Sequence, residues 1–125
     1  MPLIERFEDI QGWQEARKLT KMIYDLTIKV EFGKDFGLRD QIRRASVSVM
    51  ANIAEGFDCD SDIEFARFLG IARRSAVEVQ SLLYAALDAN YLNQQEFDIY
   101  YEQARKAKAL VGGFKYSLIK KHTAR

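Results

Sequence analysis

From Ala45 to Ala54 the chain carries no charged side chain, although Arg43 and Arg44 stand before this run and Glu55 after it. The surrounding segment, FGLRDQIRRASVSVMANIAEGF from Phe36 to Phe57, reads as one helix. A helix that is apolar or small all round must be covered on more than one side, so it packs inside a bundle or against another subunit. Leu38, Ile42, Ala45, Val49 and Ile53 recur at helical spacing and face one core. Val47, Met50, Ala51 and Ala54 form a second apolar surface, which is expected to serve assembly.

The rest of the chain suits the same architecture. Pro2 is the only proline, and no stretch alternates as a strand would. With 125 residues and 48% apolar content, residues 1–125 are expected to form a single domain with one core. Periodicity predicts four helices, over about 9–30, 36–57, 62–90 and 94–121.

In the first helix Asp9 is the expected cap and Ile10, Trp13, Ala16, Ile23, Thr27 and Val30 the buried stripe. Gly33 suits the left-handed backbone that ends helices, Asp35 is placed to cap the second helix, and Gly56 to end it. Ser61 with Glu64, and Asn93 with Glu96, have capping-box spacing.

Phe65, Leu69, Ala72, Ala76, Val79, Leu83 and Ala86 form the core line of the third helix, beside a second line of Ala66, Gly70, Val77 and Tyr84. The fourth helix steps through Phe97, Tyr100, Ala104, Ala107, Val111, Phe114 and Leu118. Gly112 and Gly113 interrupt it, each costing on the order of 1 kcal/mol relative to alanine, so either close packing or a kink is expected there. Short links between such helices favour an all-α, antiparallel up-and-down four-helix bundle.

The run GL-x-x-QIRRA-x-x-S from Gly37 ends in NIAEG, and an acidic turn then leads to E-x-x-RFL-x-IA from Glu64 to Ala72. Together with RFEDIQGWQEAR (Arg6 to Arg17), these motifs make the chain resemble, over nearly its whole length, the four-helix-bundle proteins encoded by intervening sequences in bacterial 23S ribosomal RNA genes. The resemblance implies assembly into a homo-oligomeric ring, usually a pentamer, with RNA or DNA as the suspected partner and no enzymatic activity. The accessory protein of diversity-generating retroelements is similar in architecture and is thought to bind nucleic acid beside a reverse transcriptase. A protein partner is therefore the alternative to a nucleic acid.

The formal net charge of +1 conceals an uneven distribution. Arg105, Lys106, Lys108, Lys115, Lys120, Lys121 and Arg125 make up seven of the 19 basic residues, whereas all 18 acidic residues precede Arg105. Such asymmetry points to an anionic partner or to a solvated face. Arg39, Arg43 and Arg44 in the second helix and Arg67 and Arg74 in the third add guanidinium groups able to grip phosphate through paired hydrogen bonds. Ion pairs with neighbours such as Asp40 or Glu78 are the competing use.

The candidate nucleic-acid contacts are thus Arg39, Arg43, Arg44, Arg67, Arg74, Arg105, Lys106, Lys108, Lys115, Lys120 and Lys121, and the candidate oligomer interface is Val47, Met50, Ala54, Gly70, Val77 and Tyr84. Among the tyrosines, Tyr101 and Tyr116 are the two to consider for base stacking. Asn52, inside the apolar run, is expected to find a hydrogen-bond partner.

A single histidine, His122, leaves no ordinary histidine-bearing metal site or catalytic triad, and the glycines match no phosphate-loop fingerprint. Cys59 lies among Asp58, Asp60 and Asp62, which disfavour its thiolate. No metal, cofactor or catalytic residue is expected. No apolar run approaches the roughly 18 residues of a membrane span, and the start carries no signal-peptide core, so a cytoplasmic protein is expected. The expected function is that of a non-enzymatic homo-oligomer binding RNA or DNA through basic side chains. The alternative is a protein-interaction scaffold with little direct nucleic-acid contact.

Overall fold

The computed structural model describes residues 4–123, with side chains as far as Lys121. Among these residues a 3-10 turn at Phe7–Asp9 precedes five α-helices and no strand: α1 (Gln11–Thr27), α2 (Val30–Lys34), α3 (Phe36–Phe57), α4 (Asp62–Asp88) and α5 (Gln94–Thr123). The helix starts follow from local chemistry. Asp35 accepts from the Leu38 backbone N–H at 3.2 Å to open α3, and Ser61 accepts from Glu64 N–H at 3.1 Å to open α4. The Glu64 carboxylate turns to Arg67. At α5 the capping box is reciprocal, with Asn93 accepting from Glu96 N–H and Glu96 from Asn93 N–H.

Several positions differ from the sequence expectation. Asp9 accepts from the backbone N–H groups of Glu5 and Arg6, so it closes the 3-10 turn, and α1 begins behind Ile10. α1 stops at Thr27, and Val30 is left 71% exposed. The link after it is itself helical, and Gly33, like every described glycine, avoids positive φ. The reason for the break is Phe32, which the turn seats 1% exposed, stacked on Tyr91 with ring centroids 4.8 Å apart. α4 ends at Asp88, and Asn90 takes the left-handed turn at φ 63° that leads toward α5.

Gly56 lies inside α3 instead of ending it. A Cβ there would stand 2.7 Å from Phe68 Cβ and 2.8 Å from Phe65 Cδ1, so glycine is needed for α4 to approach. Gly12 plays a milder version of this role against Val111, at 3.4 Å.

The helices bury two apolar layers. One contains Leu19, Ile23, Leu26, Phe32, Ile42, Val79, Leu83 and Phe97, and the other Ile10, Trp13, Val49, Ile53, Phe65, Leu69 and Val111. Full burial of such side chains stabilises by about 1.5–3 kcal/mol each. Polar contacts cross the bundle beside these layers: Thr20 Oγ1 donates to Ser46 O at 3.1 Å, the Ser48 and Ser75 hydroxyls meet at 2.9 Å, and Gln103 donates to Glu15 O at 2.9 Å.

The order of these partners fixes which helices are neighbours. α1 meets α3 through Thr20–Ser46 and Thr27–Arg43, and α3 meets α4 through Gln41–Glu78 and Ser48–Ser75. α4 meets α5 through Phe65–Phe114 and Tyr84–Phe97, and Glu15–Gln103 and Lys29–Glu96 bring α5 back to α1 and its following turn. In every seam residue numbers rise on one helix as they fall on the other. No described helix is long and apolar enough to cross a membrane.

Candidate nucleic-acid interface

On the α1–α3 side two of the three candidate arginines, Arg39 and Arg43, are held by internal partners. Arg39 bonds Asp40 Oδ1 at 2.8 Å and the Gly33 carbonyl at 3.1 Å, with its guanidinium 4.8 Å from the Phe36 ring centroid. The Arg39 hydrogen bond, aided by the charges of Arg39, Arg44 and Arg43, holds the Asp40 carboxyl below the usual carboxylate range. Arg43 donates to Thr27 Oγ1 at 2.7 Å and lies 4.6 Å over Tyr24. Exposed Arg44 borders a surface groove with Tyr24, Asp40 and Val47 and has no carboxylate within 4 Å among the described residues.

Three further cations are paired on or between helices. Arg67 binds Glu64 at 3.1 Å and covers the Phe68 ring, and that carboxylate raises its pKa through hydrogen bonding and charge. Arg105 binds Glu102 at 2.6 Å, and Lys106 lies 3.4 Å from Glu15. Glu15 is held below the ordinary carboxylate range, first by the Gln103 hydrogen bond and then by the Lys106 charge.

The α4–α5 seam is different. Tyr84 packs on Phe97 and Tyr101 with centroids 4.8 and 5.8 Å away, which makes one end of the seam aromatic. Toward the other end, glycines open it to basic side chains. Lys115 lies over buried Gly70, its Nζ 3.0 Å from where a Cβ would stand, and an Arg74 terminal nitrogen is 3.8 Å from the same point. Arg73 Nε lies 3.5 Å from the corresponding point at Gly112. α5 runs unbroken through Gly112 and Gly113.

Among the described residues no carboxylate lies within 4 Å of the cationic nitrogens of Arg73, Arg74, Lys108 or Lys115. Glu78, one turn from Arg74, instead accepts from Gln41 of α3 at 3.4 Å. Arg73 is not among the residues expected from sequence. It is adjacent to Arg74, but only the seam reveals that Gly112 faces it.

At the end of α5, Lys120 Nζ is 5.9 Å from the Tyr116 ring centroid, and Lys121 is exposed. Tyr116 is exposed, whereas Tyr101 is half-buried in the aromatic seam. The His122 side chain and Arg125 lie outside the described residues.

The residues considered for assembly occupy different environments. Val47, Val77 and Tyr84 are 38%, 42% and 51% exposed. Met50 and Ala54 are half-buried against the Trp13 layer, and Gly70 is covered by Lys115 of its own chain. Ile63, Ile99 and Ile119 are exposed apolar residues that the sequence did not single out. Asn52 donates to Ser48 O and Ser48 Oγ at 2.8 and 2.9 Å. Half-buried Cys59 points to Glu55 O, with Sγ at 3.4 Å. Among the described residues no three His, Cys, Asp and Glu side chains are grouped as metal ligands would be.

No curated protein matches the chain in sequence. Among solved structures, a protein of unknown function from the S23 ribosomal protein family of Bacteroides thetaiotaomicron is similar, with a TM-score of 0.76 and 20% sequence identity over 83% of this chain and 97% of that one. That likeness concerns the fold. The family model described as 23S rRNA-intervening sequence protein matches residues 8–113, from the 3-10 turn through α1 to α4 and into α5 as far as Gly113. Over that span the capped helices and the close-packed glycines Gly12, Gly56 and Gly70 all fall within the match, and the chain belongs to the 23S rRNA-intervening sequence protein family.

Proposed function

We propose that this chain is a non-enzymatic, cytoplasmic protein that folds as an antiparallel up-and-down four-helix bundle, assembles as a homo-oligomeric ring, and binds RNA or DNA. The observation that carries the binding reading is the sorting of its cations. Arg39 and Arg43 of α3 are held by internal partners, whereas Arg73, Arg74 and Lys115 lie at the α4–α5 glycines, and neither they nor Lys108 has a carboxylate within 4 Å among the described residues. Unneutralised guanidinium and ammonium groups on one face attract phosphate at long range and hold it at close range.

The bundle topology is supported by the reversed order of partners in all four seams. Assembly is supported by exposed Val47 on α3 and by Val77 and Tyr84 on α4. A ring joins two different surfaces of each subunit and repeats every cation around its axis, which multiplies the positive surface of a protomer with net charge +1. Five subunits is the number carried by the family resemblance.

The test is fluorescence anisotropy of labelled structured RNA and duplex DNA at low and near-physiological salt. Binding should weaken steeply, the logarithm of the affinity falling with log salt by about 0.9 per neutralised phosphate on a duplex. Absence of binding at low salt overturns the nucleic-acid reading. For assembly, Val77→Glu should dissociate the oligomer in light scattering, and an unchanged mass removes that surface from the interface. Met50 is less suited to this test because it packs against its own protomer's core.

A second reading, a protein-interaction scaffold, is favoured by Ile28, Val30 and Phe36, which stand 77%, 71% and 64% exposed around α2. An apolar protein contact of that kind would persist at salt concentrations that abolish phosphate binding.

A further inference from the structure

We infer that the Lys115–Arg74 pair over Gly70 in the α4–α5 seam is a phosphate-binding site in which the two cations grip one phosphodiester group, with Arg73 beside Gly112 as the adjoining contact. The inference rests on the nucleic-acid reading and assigns its grip to one place. Lys115 Nζ and the Arg74 nitrogen lie 3.0 and 3.8 Å from a single point above Gly70, so their separation cannot exceed the sum of those distances. Charge-assisted N–H···O bonds to phosphate run about 2.7–2.9 Å, and a phosphate spreads its oxygens around phosphorus, so one such group spans the pair.

The glycine makes the arrangement possible. A Cβ at position 70 would stand 3.0 Å from Lys115 Nζ, so the ammonium would have to give way from its present place over the glycine. No described carboxylate within 4 Å competes for either cation. Two like charges left side by side in this way repel each other, and an anion between them removes the repulsion. Contacts to phosphate carry no sequence information, so a site that holds the phosphodiester selects the backbone and not the sequence.

Gly70→Ala tests this without changing net charge. The atom it displaces is the flexible end of Lys115, so the bundle should fold as before. Gly113→Ala, where no atom lies within 4 Å, is the matched control. Each full-length protein is titrated with labelled RNA by anisotropy and with inorganic tripolyphosphate by calorimetry, with Lys115→Gln as a second variant.

Lys115→Gln, which removes one charge-assisted hydrogen bond, should weaken RNA and tripolyphosphate binding by about tenfold or more; Gly70→Ala, which only displaces Lys115 Nζ, should weaken both by less, and Gly113→Ala should bind like the parent. RNA binding that is unchanged in both variants overturns the Gly70 site and leaves the nucleic-acid reading standing. Tripolyphosphate binding that is weakened in both variants, without any RNA binding by the parent, keeps the site as one for free phosphates and overturns the nucleic-acid reading. If neither ligand binds the parent protein, both are overturned.

Discussion

Gly56 and Gly70 each lie inside a helix that borders a seam, and the space above them is filled with opposite chemistry. At Gly56, in the α3–α4 seam, the atoms that a Cβ would meet are Phe68 Cβ at 2.7 Å and Phe65 Cδ1 at 2.8 Å. At Gly70, in the α4–α5 seam, they belong to Lys115 and Arg74. The first seam spends its glycine on helix packing, and its nearby polar side chains are paired, as in Ser48–Ser75 and Gln41–Glu78. The second uses its glycine to bring Lys115 and Arg74 together, with no carboxylate within 4 Å of either among the described residues. A small residue in a helix seam is therefore structural or functional according to what occupies the space it leaves.

The largest stability effect should follow from filling the first space. Gly56→Ala forces α4 outward or strains Phe65 and Phe68, and should lower unfolding stability by about 1–3 kcal/mol in urea denaturation. A neutral result would mean that the seam relaxes freely and that Gly56 is not needed for the approach of α4. Gly113→Ala should do the opposite on a smaller scale. It fills open space in α5 and should raise stability by about 0.8–1 kcal/mol, the helix-propensity difference. A decrease there would point to a neighbour at Gly113, such as another subunit.

The two seams should also part with pH. α4 opens on Ser61, which does not titrate, whereas α5 opens on the Asn93–Glu96 box, whose Glu96 also binds Lys29 at 2.7 Å. The Lys29 hydrogen bond, with that from Asn93 N–H, holds the Glu96 carboxyl below its ordinary value. Its contribution is therefore fully present above the unfolded-state carboxylate pKa and is lost as pH falls through the lower, folded-state value. Amide hydrogen exchange at the start of α5 should rise in acid before that at the start of α4. Equal loosening of both starts would mean that the Glu96 clasp does not govern this end of the bundle.

Much of this scaffold is legible in the residues. Asp35 and Phe57 bracket α3 where capping and periodicity put them, and in α4 the core line of Leu69, Val79 and Leu83 is buried, while the second line divides into exposed Val77 and Tyr84 and buried Ala66 and Gly70. Local chemistry suffices there because caps and faces are set within a few residues. The break after Thr27 is not local. Ile28 and Val30 continue an apolar pattern, but the chain turns because Phe32 gains a place against Tyr91, which is far along the sequence.

The candidate site divides in the same way. Arginine in the QIRRA segment stands out, yet Arg43 is held by Thr27 and Tyr24 of α1, which spacing within α3 cannot reveal. Arg73 does not stand out in the sequence because its meaning depends on Gly112 in another helix. Pairs across a seam, more than the residues on either side, distinguish a cation held for structure from one left for a ligand.

The most direct test removes equal charge from each region and compares RNA affinity across a salt series. One double variant is Arg39→Gln with Arg43→Gln, the other Arg73→Gln with Arg74→Gln, with folding of both verified by circular dichroism. The account predicts that the α4 pair lowers affinity and reduces the slope against log salt by about 0.7–0.9 for each phosphate that is no longer neutralised, while the α3 pair leaves the slope unchanged. An equal drop in affinity from both pairs, or a drop confined to the α3 pair, would contradict it.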